Sequence, residues 1–509
     1  MKKTFTFIAM MLLAGFAFAQ ENTYDNTRRT VLFSEVSGPN AVDVKYYMLR
    51  GFTETKRLNI FDGRNYNSLP QSLRNNIKFD AVFTAVVDSM PTRKQKDILT
   101  GEMTWMSTCY VTLQIRDPKT NAVLVSTKLK GSGSDRNNQD KATNAAMSTL
   151  SVDLTSFIDG YYVVRGNILS VDESKKQKAE IVTINVGSSS SIYDKMKFNV
   201  YNAAGDQLGR IQVKEILGSN RTLCKVTGGA DTLQKAFEAG EELRIASRPL
   251  GFFSELFTIE KKTSAIINEP DPDCNKLHTV LYLNAVGNSM ANKYIDDMMM
   301  KKLYETTRLY AISLDAYNNL SEAQRNSITI DGIIMPVSGN FKTKTEKSER
   351  YNTYTVDGEW VFILSDARTG KVLYAEQTYC SGLSTESMEK AFERSVKDYN
   401  LNYAIDCGYP IYTSVLSVDQ SKKNKAKVVS IGVGKNSSIY EGMLLTVYTQ
   451  DGNGMWSEIG EVKVDKIEDG KSTCDVKKGG EEIMKAFDEN IPNRIVTRPK
   501  SFLGGLLKL

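Results

Sequence analysis

Hydrophobic positions along this chain change period in a fixed order, and that order is met twice. An apolar run, Val31 to Val36, is followed by Val44, Tyr47, Met48 and Phe52 at helical spacing. Val280 to Val286 is likewise followed by Ile295, Met298, Met299 and Leu303. Each set predicts a buried strand leading into an amphipathic helix. A second buried strand is expected at Ala81 to Val87 and at Ile333 to Val337. Alternation over Tyr110 to Ile115 and Val123 to Thr127, around Asp117-Pro118-Lys119-Thr120-Asn121, predicts a hairpin. The matching turn later reads Asp366-Ala367-Arg368-Thr369-Gly370. A closing helix is expected around Ala142 to Leu150 and around Met388 to Tyr399. Beyond each closing helix the chain turns to short strands broken by Gly, Asn and Asp, as in a small all-β domain. In one of them Ile181, Thr183 and Asn185 alternate with Val182, Ile184 and Val186, leaving one face for a core.

Direct comparison explains the recurrence. ILSVDESKKQKAEIVTINVGSSSSIY, from Ile168, and VLSVDQSKKNKAKVVSIGVGKNSSIY, from Val415, share 17 of 26 positions at an offset of 247. ETKRL (Glu54 to Leu58) meets ETTRL (Glu305 to Leu309), and RDPKTNAVL from Arg116 meets SDARTGKVL from Ser365. The chain reads as two copies of one unit of roughly 220 residues. The expected class is α+β multidomain, a tandem duplication of a small α/β sandwich domain and a small all-β barrel or sandwich domain. The expected divisions are a signal peptide at 1–19, α/β domain at 28–158, β-barrel-like domain at 159–249, linker and apolar segment at 250–276, α/β domain at 277–405, β-barrel-like domain at 406–499, and an apolar tail at 500–509.

The first residues change where this fold works. Met1-Lys2-Lys3, the apolar Phe5 to Phe16 and Ala17-Phe18-Ala19 form a secretory signal with cleavage before Gln20. The apolar run is too short for a membrane anchor of ~20 residues. Phe16 stands where a lipoprotein signal needs cysteine. Loss of Lys2 and Lys3 lowers the formal charge from +5 to +3, which argues against nucleic acid as a partner. The expected place is the periplasm or cell envelope. Of six cysteines none forms a CxxC, and their pairing is open.

Candidate chemistry is sparse. Glycine followed by serines, GSSSSIY at Gly187 and GKNSSIY at Gly434, suggests a phosphate cradle, but no GK[ST] follows and the next segment is strand-like, so a barrel turn is expected. One histidine, His278, serves the whole chain and is expected on a strand surface. With one histidine, triad catalysis and zinc chemistry lack their parts. The acids kept in both halves, Asp80/Asp331, Asp117/Asp366 and Asp172/Asp419, are expected in turns or at strand starts. No catalytic residue, cofactor or metal site is assigned. Lys175-Lys176-Gln177-Lys178 and Lys422-Lys423-Asn424-Lys425 read as solvated hairpin loops. Phe252, Phe253, Leu256 and Phe257, and Phe502, Leu503, Leu506 and Leu507, fit short amphipathic turns and are the candidate interface.

On these features the first domain of each unit resembles the curli-assembly pore protein and the N-terminal domain of TolB-type periplasmic proteins. The residues concerned are the Val44–Phe52 helix, the FDAVF strand, the DPKT turn and the Ala-rich closing helix. The second domain, with LSV…INVG…IY…NVY…LGRIQV, is similar to the C-terminal barrel of flagellar assembly protein T. The resemblance implies a non-enzymatic envelope-assembly protein. Lacking a lipobox cysteine, and with no expected pore strands in Met90 to Tyr110, the chain inherits no pore activity. A scaffold or binding component is therefore expected, with envelope proteins, a second copy of the chain or a bilayer surface as partners. The alternatives are a glycan or small-ligand binder, with aromatics near Trp105 or Trp360, and a carboxylate-based cell-wall hydrolase with two acids about 5–10 Å apart.

Overall fold

The structure is a computed structural model that describes residues 25–96, 101–248, 275–348, 351–435, 437–450 and 456–497. The signal segment, Cys274 and all eight residues of the candidate interface lie outside the described residues.

The first α/β domain is a six-stranded mixed sheet built from β1 (Arg29–Ser37), β2 (Leu58–Asp62), β3 (Ala81–Ser89), β4 (Thr92–Lys96), β5 (Met103–Arg116) and β6 (Val123–Asp135). Its order is β2-β1-β3-β5-β4, with β6 also on β5. β1 is parallel to β2 and β3, and the rest is antiparallel. Met90 to Tyr110 therefore does hold strand: β4 pairs with the first half of β5, a hairpin arm much longer than alternation predicts. Helix α1 (Ala41–Glu54) buries Val44, Met48 and Phe52 on the sheet. There Phe52 meets Phe33 and Phe83 at ring separations of 5.1 and 5.3 Å. The closing helix α2 (Gln139–Tyr161) lies directly on β6. Gly131 and Gly133 make this approach possible, since a Cβ on either would fall within about 2.5 Å of the helix backbone.

The first all-β domain, described by itself, is a closed barrel of β7 (Arg165–Lys175), β8 (Lys178–Ile184), β9 (Lys197–Tyr201), β10 (Gln207–Ile216), β11 (Thr222–Gly228) and β12 (Arg244–Ser247). The strand order is β10-β11-β8-β7-β12-β9, and helix α3 (Ala230–Glu238) packs Leu233 into the core. Val182, Ile184 and Val186 form the one face in the core, and the opposite face is covered as well, with Thr183 8% and Asn185 7% exposed. Thr183 donates its hydroxyl to Asp172, and Asn185 accepts from the backbone N–H of Asn167, so the polar face is covered by its own hydrogen bonds. Lys176 and Gln177 adopt left-handed φ values of 52° and 59°, the geometry of a two-residue hairpin turn.

The second α/β domain comprises β13 (His278–Tyr282), helix α4 (Ser289–Glu305), β14 (Leu309–Ser313), β15 (Gly332–Ser338), β16 (Lys342–Lys347), β17 (Asn352–Asp366) and β18 (Val372–Ser384). Its order, β14-β13-β15-β17-β16 with β18 on β17, matches that of the first sheet strand for strand. The closing helix here is two helices, α5 (Met388–Val396) and α6 (Leu401–Gly408). The break falls at Asn400, whose side chain accepts from the N–H of Tyr403 and starts the second helix.

The last domain has β19 (Tyr412–Thr413), β20 (Val415–Lys422), β21 (Lys425–Ile431), β22 (Leu444–Gln450), β23 (Trp456–Ile467), β24 (Ser472–Lys478), helix α7 (Gly480–Asp488) and β25 (Asn493–Thr497). Its path, β19-β25-β22-β23-β24-β21-β20, is a seven-stranded sheet that is not closed by hydrogen bonds, where a small barrel or sandwich is expected. The ends of the path are neighbours in sequence: Ser414 alone separates β19, on β25, from β20, on β21. One residue interrupts the ring of hydrogen bonds.

Candidate functional site

The acids singled out from sequence are each committed to local structure. Asp80 accepts from the N–H of Thr30 at 2.8 Å, and Asp331 from that of Thr279 at 2.9 Å, so each ties the first strand of its domain to the third. Asp117 accepts from the N–H groups of Lys119 and Thr120 and from the Thr120 hydroxyl. Asp366 does the same with Arg368 and Thr369. The Thr120 N–H holds the Asp117 carboxyl below the usual carboxylate range. Asp172 bridges the hydroxyls of Ser170 and Thr183, and Asp419 those of Ser417 and Ser430. His278 is not on a strand surface. It starts β13 but is buried, stacked on Tyr409 at 4.0 Å and 3.8 Å from Asp331. It can take that place because Tyr409, just past α6, folds back over the strand.

The serine loop has a different use from phosphate binding. Gly434 has no room for a Cβ, which would meet the Glu468 carbonyl at 2.2 Å; Gly187 is blocked likewise by the Gly218 carbonyl. At the loop's end, Ser438 accepts from Arg308, which is 1% exposed, through both its hydroxyl (2.6 Å) and its carbonyl (2.9 Å). The same guanidinium donates to Asp406 at 2.9 Å and to the Tyr409 carbonyl at 2.8 Å. Four of its five donors are satisfied in a buried site that joins α6 and the start of β14 to the last domain. Arg57, Asp159 and Ser191, at the matching sequence positions, are also buried. Sequence reasoning missed this set. Its signal was an arginine opening an apolar strand in both ETKRL and ETTRL.

Trp360 is wholly buried in the core of the second α/β domain, so it lines no ligand pocket. Trp105 lies on β5 with Lys94 over its ring at 5.6 Å. Among the described cysteines, Cys109, Cys224, Cys380 and Cys474 are free thiols. Burial pushes Cys109 up to about 11 and Cys474 to about 12, which leaves them unreactive at neutral pH. Among the described residues no cluster of His, Cys, Asp and Glu could hold a metal ion.

Several polar groups converge where the two α/β domains meet. Arg50 and Tyr47 of α1 face Glu359 and Tyr379 of the β17–β18 pair, in a cleft of about 360 Å³ also lined by Asp357 and Lys342. Arg50 is paired with Glu54 at 2.9 Å and lies 3.9 Å from Glu359, which Gln377 also holds at 2.6 Å. Burial, then the Glu359 carboxylate, push the Tyr46 and Tyr47 hydroxyls above their ordinary range. Beside the cleft, the Val372 N–H donates to Asn59 of β2 at 3.0 Å. Gly370 packs on Phe61, Ile77 and Thr30, and Gly339 on the Tyr46 ring.

No family model matches the chain and no curated protein does. The chain is similar in part to solved structures. A minor lipoprotein of Acinetobacter baumannii is 12% identical with a TM-score of 0.19, covering 26% of this chain and 94% of that one. A lipoprotein of Neisseria meningitidis is 14% identical with a TM-score of 0.16, covering 22% and 86%. The PelC dodecamer of Paraburkholderia phytofirmans is 12% identical with a TM-score of 0.17, covering 25% and 88%. No helix among the described residues is long and apolar enough to cross a membrane, which leaves strands unaddressed.

Proposed function

We propose that the chain is a tandem duplicate of a two-domain unit and acts as a non-catalytic, exported scaffold or binding component of a cell-envelope apparatus. The observation that carries this reading is the occupation of the candidate catalytic groups. The three acid pairs serve as turn, strand and hydroxyl anchors, and the glycine–serine loop of the second half receives a buried arginine. What the chain presents outward is sheet and helix surface, the material of contacts. The likeness to curli-assembly and flagellar-assembly domains, drawn from sequence pattern, agrees with such a part.

The test is cross-linking in intact cells, followed by affinity purification of the mature protein and of a variant lacking Ser501 to Leu509. Recovery of defined envelope proteins or of a self-ladder supports the scaffold, and its loss on truncation makes the tail a dock. Recovery of monomer alone contradicts it.

A second reading draws on the cleft between the α/β domains, where Tyr47, Tyr379, Arg50, Asp357 and Glu359 combine aromatic and hydrogen-bonding groups suited to a sugar. Binding of wild type to a glycan array, abolished by Glu359→Gln, would establish it; an array without signal would remove it.

A further inference from the structure

The two α/β domains meet through different faces. The first contributes α1 and the β2 edge, with Tyr46, Arg50 and Asn59; the second contributes the outer face of β17 and β18, with Glu359, Val372 and Gln377. Between these anchors Val361 and Ile363, on the outward side of β17, are at most 1% exposed. A contact between unlike faces of like domains does not close on itself; it leaves one complementary face free at each end.

Both free faces can be located by register. Thr30 pairs with Asn59 and Thr279 with Tyr310, so Tyr310 holds the place of Asn59. Counting back from ETKRL and ETTRL, Asp297 holds the place of Tyr46 and Lys301 that of Arg50. Tyr110 pairs with Lys130 and Thr112 with Lys128, as Glu359 pairs with Tyr379 and Val361 with Gln377. Tyr110 and Lys128 therefore stand where Glu359 and Gln377 stand. Burial follows occupancy. Asn59 is 4% exposed and Tyr310 67%; Glu359 is 8% exposed and Tyr110 39%. Asp297, Lys301 and Lys128 are exposed as well.

We propose that a second copy of this chain covers these faces. The β5–β6 face of one chain takes the α4 and β14 edge of the next, repeating the contact already made within the chain. The charges fit this occupant. Asp297 would face Lys128 where Tyr46 faces Gln377, and Lys301 would face the Tyr110 ring where Arg50 faces Glu359. Lys301 is paired along its helix with Glu305, as Arg50 is with Glu54. The outward positions Thr84, Thr112 and Gln114 are more polar than Met335, Val361 and Ile363, so association between chains is weaker than the contact within one and depends on concentration. Repetition yields a ring if the rotation closes and a filament if it does not. The inference deepens the scaffold reading by naming one partner, and rests on that reading for its biological sense.

Sedimentation of the purified mature chain over a range of concentrations is the test, with Lys128→Asp and Asp297→Lys as variants. Both residues are exposed, so circular dichroism and melting temperature should match wild type. The expected result is a concentration-dependent series above the dimer for wild type, monomer for each variant alone, and recovered assembly when the two variants are mixed. In the mixture both kinds of junction regain opposite charges. Wild type that stays monomeric, or a dimer indifferent to either change, overturns the proposal. Either result in purified protein leaves contact with other envelope proteins to be judged by the cellular experiment.

Discussion

At the residue scale the fold depends on buried polar groups held by hydrogen bonds and ion pairs. Arg308 is the clearest case, because removing it takes from the enclosed Asp406 carboxylate the guanidinium that donates to it. Arg308→Ala should cost about 3–5 kcal/mol in denaturant unfolding. Replacing both partners by apolar residues, Arg308→Met with Asp406→Leu, should recover most of that loss. A double variant as unstable as the single one would show that the site does more than pair charges. Asp419 gives a pH signature. The Ser417 hydroxyl and then that of Ser430 hold its carboxyl below the usual range. A carboxyl lowered on folding stabilises the protein above its unfolded value, about 3.9, and that contribution is lost as pH falls through the lower folded value. Melting temperatures of Asp419→Asn should therefore fall less than those of wild type as pH drops below about 4. Parallel curves would contradict this.

At the element scale the long closing helix and the strand beneath it act as one piece. Thr149 accepts the N–H of Ser132 and donates to its carbonyl, and Asp153 accepts the N–H of Lys130. The β6 edge is thus covered by the chain's own helix, which removes it as a template for stray strands. The glycines that permit this approach are costly to change. Gly133→Ala and Gly382→Ala should each destabilise by about 1–3 kcal/mol, since a Cβ would overlap helix backbone. Gly218→Ala, with open space around it, should be neutral. Equal effects at all three, measured by thermal unfolding, would refute the packing account. Much at this scale was legible in the sequence. The helical spacing of Val44 to Phe52 and the Asp-led turns found their elements, because period and turn chemistry are local. The length of the β5–β6 hairpin was not legible. Its outer half, Met103 to Thr108, is half-exposed and sets Met103, Trp105 and Met106 among Thr and Ser without a regular period of two, so no apolar alternation marks it. The interruption at Ser414 and the burial of His278 depend on distant partners, Asn275, Thr497 and Tyr409, that no local pattern names.

At the scale of the molecule, the internal likeness of the two halves matters most where they differ. Sequence comparison finds the repeated positions, but not that Glu359 is covered while Tyr110, in the same place, is open. That asymmetry comes from a contact between unlike faces, and contacts leave little trace in a single sequence beyond the apolar Met335, Val361 and Ile363 on an outward face. The central claim is that the chain is a scaffold whose own internal contact is reused between chains. Its most direct test is bis-maleimide cross-linking in intact cells of a chain carrying Lys128→Cys and Asp297→Cys. Cys109, Cys224 and Cys474 are buried in this fold, and a chain without the two substitutions controls for the remaining thiols. The account predicts a ladder of cross-linked multimers that neither single variant forms. Monomer alone, from a double variant labelled at both positions, would contradict it.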